Sequence, residues 1–209
     1  MNVGVLGGTF DPVHIGHLIV AEEARLKLGL SKVLFVPVGQ PWLKQDRSIT
    51  AAVHRLEMIR LAIADNPYFK LSTLEVERPG PSYTVDTLTI LRKQLGSRAS
   101  LFFILGRDAL AELPLWKEPQ KVMRLCRFVV APRPLLERVE SSGSENLKDL
   151  ERAIPGLLER VIELDMPVIG ISSSEIRQRI VRGLPIRYLV PPEVEEYMAK
   201  HKVYPISAS

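Results

Sequence analysis

The amino-acid sequence predicts an α/β fold: a doubly wound parallel sheet with helices on both faces and a C-terminal helical segment. Two observations carry that expectation. Short runs rich in Val, Ile, Leu and Phe alternate with amphipathic stretches of helical period, and the boundaries between them hold residues that start and stop helices. Strand, helix, strand in repetition requires right-handed crossovers, which put helices on both faces of a parallel sheet.

Strands are expected near 2–6 (NVGVL), 32–37 (KVLFVP), 69–73 (FKLST), 100–105 (SLFFIL), 127–131 (RFVVA) and 161–164 (VIEL). Helices are expected near 14–28, 51–64, 84–95 and 118–125. Asp11 suits the cap of the first helix, Pro12 its first turn and Gly29 its end. Thr50 suits the start of the second helix and Gly96 the end of the third. The stretch 132–156, PRPLLERVESSGSENLKDLERAIPG, reads as a surface excursion with a polar helix near 145–153. Together these elements predict a Rossmann-like sheet, and the chain, 1–209, is expected to form one domain.

Composition sets outer limits. The chain has 209 residues, 46% hydrophobic and 25% charged, ordinary values that argue against disorder and fibrous structure. Net charge is +4, from 28 Lys+Arg against 24 Asp+Glu. The basic residues are scattered, so an anionic substrate is allowed and a nucleic-acid surface is not indicated. Apolar runs such as LFFIL stop well short of the ~18 residues that span a bilayer, and MNVGVL lacks a basic leader, so a cytoplasmic protein is expected. Cys126 cannot pair within the chain, and its setting in LCRFVV reads as a buried strand residue.

The corner GGTFDPVHIGH, residues 7–17, leaves the first strand at its carboxyl end, where ligands bind in a doubly wound sheet. Gly7 and Gly8 let a phosphate chain approach the backbone, Thr9 adds a hydroxyl, and the following helix points free N–H groups at the same spot. His14 and His17, three apart, project from one face, and Gly16 between them keeps the turn open to a close-lying ligand. The glycines fall at 4, 7, 8 and 16, which is not the G-x-G-x-x-G of dinucleotide-dependent dehydrogenases and suits a nucleotide triphosphate better.

A second donor cluster lies in GISSSEIRQR, 170–179. Ser172 to Ser174 open a helix, and Arg177 reaches the same side. The two helix starts together form a clamp for a polyphosphate, with His14, His17, Ser174 and Arg177 stabilising charge as a phosphoryl bond breaks. No Cys, Asp or Glu stands where it could attack phosphorus, so catalysis rests on positioning and electrostatics.

These two segments resemble the signatures of the H-x-G-H nucleotidyltransferase superfamily. The closer resemblance is to the bacterial nicotinate-nucleotide adenylyltransferase family, and it extends through HRLEMIRLAI (54–63), RPGPSYTVDTL (78–88), ILGRDAL (104–110) and LPLWKEP (113–119). The resemblance implies adenylyl transfer from ATP to nicotinate mononucleotide, with Mg²⁺ carried in on ATP and no dedicated metal ligands. It implies that His14 and His17 hold the ATP phosphates, His17 nearest the α-phosphate, with Gly8, Thr9 and Phe10 lining the corner. Ser173, Ser174 and Arg177 would grip the leaving phosphates. Gly106 and Asp108 would meet the adenosine, and Thr84 and Trp116 would receive the nicotinate ring.

Three of these residues have another reading: Thr84 also suits a helix cap, Trp116 a surface plug, and Asp108 the cap of DALAEL. Relatives carry a Pro-Pro-His-Lys-like stretch after the second strand. Here it is QPWLK, 40–44, which keeps Lys44 for the mononucleotide phosphate while Trp42 and Leu43 replace the usual pair. The implied partners are ATP and nicotinate mononucleotide, without nucleic acid or membrane, and self-association is left open.

Overall fold

The structure is a computed structural model that describes residues 1–42, 49–132 and 143–205. Strand β1 (Asn2–Gly8) leads through a loop to helix α1 (Ile15–Lys27), and β2 (Lys32–Pro37) is followed by α2 (Ala52–Ala62). After β3 (Phe69–Leu71) come a short α3 (Leu74–Glu77) and a longer α4 (Thr84–Leu95). Next are β4 (Ser100–Gly106), α5 (Arg107–Ala111), α6 (Pro119–Leu125) and β5 (Cys126–Ala131). The rest is α7 (Gly143–Ala153), β6 (Val161–Glu163), α8 (Ser173–Val181) and α9 (Pro192–Lys200).

The strands form one parallel sheet in the order β3-β2-β1-β4-β5-β6. The order reverses between β1 and β4, so the carboxyl ends of these two strands, Gly8 and Gly106, flank the crevice where such sheets bind ligands. Side-chain alternation divides the core in two. Val3, Val5, Leu34, Val36, Phe103 and Leu105 face α4, α6 and α7 through Val85, Leu88, Val122 and Leu150. Leu6, Phe35, Phe102, Ile104 and Val129 face α1, α2, α8 and α9 through Ala21, Met58, Ile176 and Val194. Among the described residues no helix is long and apolar enough to cross a membrane.

The expected strands are all present, with β3 ending at Leu71 because the chain turns at Ser72 into α3. Helix α4 matches its expected bounds, and Gly29 and Gly96 end their helices with φ of +57° and +81°, where glycine is favoured. The polar helix is longer than expected, running Gly143–Ala153. Cys126 is buried in β5, and burial pushes its thiol up to about 12, so it is no nucleophile at neutral pH.

Three capping expectations are corrected. Helix α1 starts at Ile15 with His14 as its extended N-cap, so Asp11 and Pro12 precede it in the loop, joined by a cis peptide bond. Asp11 instead accepts from the Thr50 N–H at 3.3 Å and the Tyr204 hydroxyl at 2.7 Å, partners far away in sequence. Helix α2 starts at Ala52 with Ala51 as its N-cap, because Thr50 turns its N–H to Asp11 and its carbonyl to Arg55.

Candidate active site

The corner after β1 is held open by aromatic packing. A Cβ on Gly7 would come within 3.1 Å of the Phe103 ring, and one on Gly8 within 3.3 Å of Phe10. Both glycines therefore make room for rings behind the loop while their backbone lines the cavity in front. Gly16 lines the cavity, and its missing Cβ also leaves space for the His14 ring, 3.0 Å away, and for Ile169. Phe10 sits at φ +51°, 2% exposed, with its ring edge-on to His17 at 5.0 Å.

The two histidines stack, ring centroids 3.6 Å apart and 23° from parallel. His14 is 6% exposed, whereas His17 is half-buried. The His14 backbone N–H donates to His17 Nδ1 at 3.2 Å, so Nδ1 is an acceptor and the neutral ring carries its proton on Nε2.

Helix α8 reaches this corner across 161 residues of sequence: the Ser173 hydroxyl donates to the Pro12 carbonyl at 2.8 Å. Ser172 is the N-cap, its hydroxyl accepting from Glu175 N–H at 3.2 Å. Arg177 donates through Nη1 to the Asp11 carbonyl and through Nη2 to Ser174 Oγ at 3.4 Å. The result is one cavity of about 460 Å³, within the range of small-ligand sites. It is lined by Gly8, Thr9, Phe10, His14 and His17 on one side, by Ser173, Ser174 and Arg177 on another, and by Gly106 at the end of β4.

Asp108, Thr84 and Trp116 lie outside that lining. Asp108 is exposed in the first turn of α5, whose N-cap is Gly106, so it is not the cap of DALAEL. Thr84 is the first residue of α4, and the N-cap position belongs to Tyr83. Trp116 is half-buried and packs edge-on against Phe103, ring centroids 5.8 Å apart, which puts it one ring behind Gly7. Around Thr84 a rim forms in which Trp42 lies 5.4 Å from Tyr83, and Lys117 Nζ sits 4.4 Å over the Tyr83 ring. Ser82, buried beside it, accepts from the Gly39 and Gln40 N–H groups at 3.0 and 3.3 Å. Lys44 lies outside the described residues.

Sequence reasoning missed the support beneath the cavity. Arg55, 2% exposed, donates to the Thr9 and Thr50 carbonyls, each at 2.9 Å. Burial lowers its pKa, opposed by the charge of Asp11, and an arginine stays protonated even so. Asp11, 4% exposed, also lies 3.9 Å from Arg177. Nothing in the spacing of HRLEMIRLAI marks Arg55 as buried, and Tyr204 carries no local signal.

With this geometry in hand, the chain can be set beside known proteins. The model of the cytidylyltransferase-like family matches residues 5–179. A Thermomicrobium roseum protein named "Probable nicotinate-nucleotide adenylyltransferase" is 47% identical over 203 residues, spanning 97% of this chain and 91% of that one. A Dehalococcoides mccartyi protein of the same name is 44% identical over 204 residues, spanning 98% and 97%. In fold, the chain resembles Plasmodium falciparum nicotinic acid mononucleotide adenylyltransferase complexed with NaAD, with a TM-score of 0.77 at 21% identity over 97% of each chain.

Proposed function

This chain belongs to the cytidylyltransferase-like family, and on that premise we propose that it transfers the adenylyl group of ATP to nicotinate mononucleotide in NAD biosynthesis. The products are nicotinate adenine dinucleotide and pyrophosphate. The observation that carries the proposal is the meeting of the two donor segments, His14 with His17 and Ser173 to Arg177, around one cavity at the switch point of the sheet.

A 5′-phosphate oxygen of the mononucleotide attacks the α-phosphorus of ATP in line. The new P–O bond forms as the bond to the β-phosphate oxygen breaks, and pyrophosphate leaves with that electron pair. The nucleophile is already an anion, so the chain needs donors more than bases. His17 offers its Nε2–H to the α-phosphate, and His14, stacked beneath it, fixes its plane. Arg177 and Ser174 take up charge on the departing phosphates, with the N-terminus of α8 adding its dipole. Gly8, Thr9 and Phe10 shape the corner, and Ser173 ties it to α8.

Gly106 leaves room for the adenosine between β1 and β4, with Asp108 at its outer edge. Thr84 and Trp116 take the nicotinate ring, whose carboxylate is met by backbone N–H groups nearby, and Lys44 meets the mononucleotide phosphate. The metal enters as part of the substrate, as MgATP. Among the described residues no three His, Cys, Asp or Glu side chains group to hold an ion. Mg²⁺ readily keeps water and phosphate ligands instead. The whole chain, 1–209, acts as a single domain in the cytoplasm.

Pyrophosphate release with MgATP plus nicotinate mononucleotide tests the proposal directly, read beside parallel reactions with nicotinamide mononucleotide and phosphopantetheine. Stoichiometric pyrophosphate and dinucleotide are expected with the nicotinate form. Turnover of phosphopantetheine without either pyridine nucleotide overturns it.

A further inference from the structure

Asp11 is a buried carboxylate between two guanidiniums, with Arg55 below it and Arg177 at the cavity wall. A carboxylate so placed is drawn toward the nearer charge, and a close pair with Arg177 would satisfy the same N–H groups that a phosphate needs. Yet Arg177 Nη1 stands 3.9 Å from Asp11 Oδ2, too far for a hydrogen bond, and donates to the Asp11 backbone carbonyl instead. Two other donors hold the carboxylate. They are the Tyr204 hydroxyl, 2.7 Å from Oδ1, and the Thr50 N–H, 3.3 Å from Oδ2. Tyr204 follows α9 and stands 193 residues along the chain from Asp11, so this contact ties the segment after α9 to the corner after β1.

We infer that Tyr204 is a positioning residue for the triphosphate site: its hydroxyl restrains the Asp11 carboxylate and so keeps Arg177 available to phosphate. This rests on the cavity binding ATP, as the proposed function requires. Burial, reinforced by the bond to Asp11, raises the Tyr204 pKa, so the hydroxyl remains a donor under working conditions. Without it, Asp11 turns toward Arg177, and the cavity loses a phosphate contact although no lining residue has changed.

The test uses the full chain and a non-hydrolysable ATP analogue, titrated calorimetrically into wild type, Tyr204→Phe, Asp11→Asn and the double variant. Tyr204→Phe should weaken analogue binding about tenfold, the scale of one hydrogen bond to a charged group. In steady state it should raise KM for ATP by the same factor and leave KM for nicotinate mononucleotide within about twofold. In the Asp11→Asn background, where no carboxylate can turn to Arg177, the same substitution should cost less than about twofold. Unchanged analogue affinity in Tyr204→Phe overturns the inference. So does an equal loss in the Asp11→Asn background, which would mark Tyr204 as packing alone. A wild type that binds the analogue but does not turn over nicotinate mononucleotide overturns the acceptor reading instead, and Tyr204 is still judged by the analogue.

Discussion

The corner after β1 and the rim before α4 are built on opposite plans. At the corner, Phe10, Asp11, His14 and Arg55 are each under 7% exposed. Bonds from Thr50, α2, α8 and the C-terminal tail converge on Thr9, Asp11 and Pro12. At the rim, Trp42, Tyr83, Thr84 and Trp116 are all half-buried: Trp42 lies ring to ring with Tyr83 under the Lys117 ammonium, and Trp116 packs edge-on against Phe103. On the proposed function, the difference follows from what each must recognise. Stabilising charge as a phosphoryl bond breaks requires donors already fixed in a water-poor site. Holding a flat ring requires area, which half-exposed aromatics supply with little ordering cost. Loss of the His17 donor at the corner should therefore act on rate, and loss of Trp116 at the rim on binding of the pyridine nucleotide.

The largest expected effect is at the corner. His17→Ala should lower kcat by roughly 10²–10³, the scale of losing one preorganised donor, with the unfolding midpoint moving far less. A collapse in melting temperature with normal turnover by the folded fraction would show instead that the ring serves packing.

Next comes Gly39, beside the rim. A Cβ on Gly39 would overlap the Glu75 backbone carbonyl, so Gly39→Ala must displace main chain rather than a flexible side chain. It should cost about 1–3 kcal/mol in urea unfolding, the scale of overpacking. A variant as stable as wild type would mean that the loop before Trp42 moves independently of α3.

Trp116→Ala sharpens the contrast from the binding side. It should raise KM for the pyridine nucleotide about three- to tenfold, the scale of one aromatic stacking contact, with kcat little changed. A loss confined to kcat would move Trp116 into the reacting centre and dissolve the distinction between corner and rim.

The smallest effect concerns pH. Burial raises the Glu75 carboxyl above its ordinary 4.5, outweighing hydrogen bonds from Thr87 and Ser82 that pull it down. A carboxyl with a raised folded pKa binds more protons in the folded than in the unfolded chain between the two values. Its contribution is therefore full below the ordinary value and is lost as pH rises through the folded one. Glu75→Gln keeps an oxygen for the Thr87 hydroxyl, 2.6 Å away, and should flatten the decline of Tm from acid to neutral pH. An unchanged slope would place the titrating group elsewhere.

The sheet was legible in the sequence because period-two and period-3.6 patterns are local properties, and so were the glycine helix ends and the buried Cys126. One short element escaped: α3 has four residues, too few to display a helical period, whereas α5 showed only through a cap reading at Asp108. The donor segments of the cavity were also legible, since histidines, serines and an arginine at helix starts announce themselves in a short window. The caps at Asp11 and Thr50 were misread for a physical reason. Asp11's carboxylate is taken by a remote partner, the Tyr204 hydroxyl, and Thr50 is held one residue short of the N-cap by backbone bonds to Asp11 and Arg55.

What the sequence alone determined was the order of elements and the kind of chemistry each corner can offer, because propensity, periodicity and donor type belong to neighbouring residues. Tertiary structure decided which donors would be spent on the protein itself and which left to a ligand. Ser173 goes to Pro12, Arg55 to Thr9, and Asp11 is shared among Thr50, Tyr204 and the guanidiniums. Those assignments rest on partners brought together only when the sheet closes, since burial makes every unpaired polar group costly and lets the best-placed partner win, however distant in sequence.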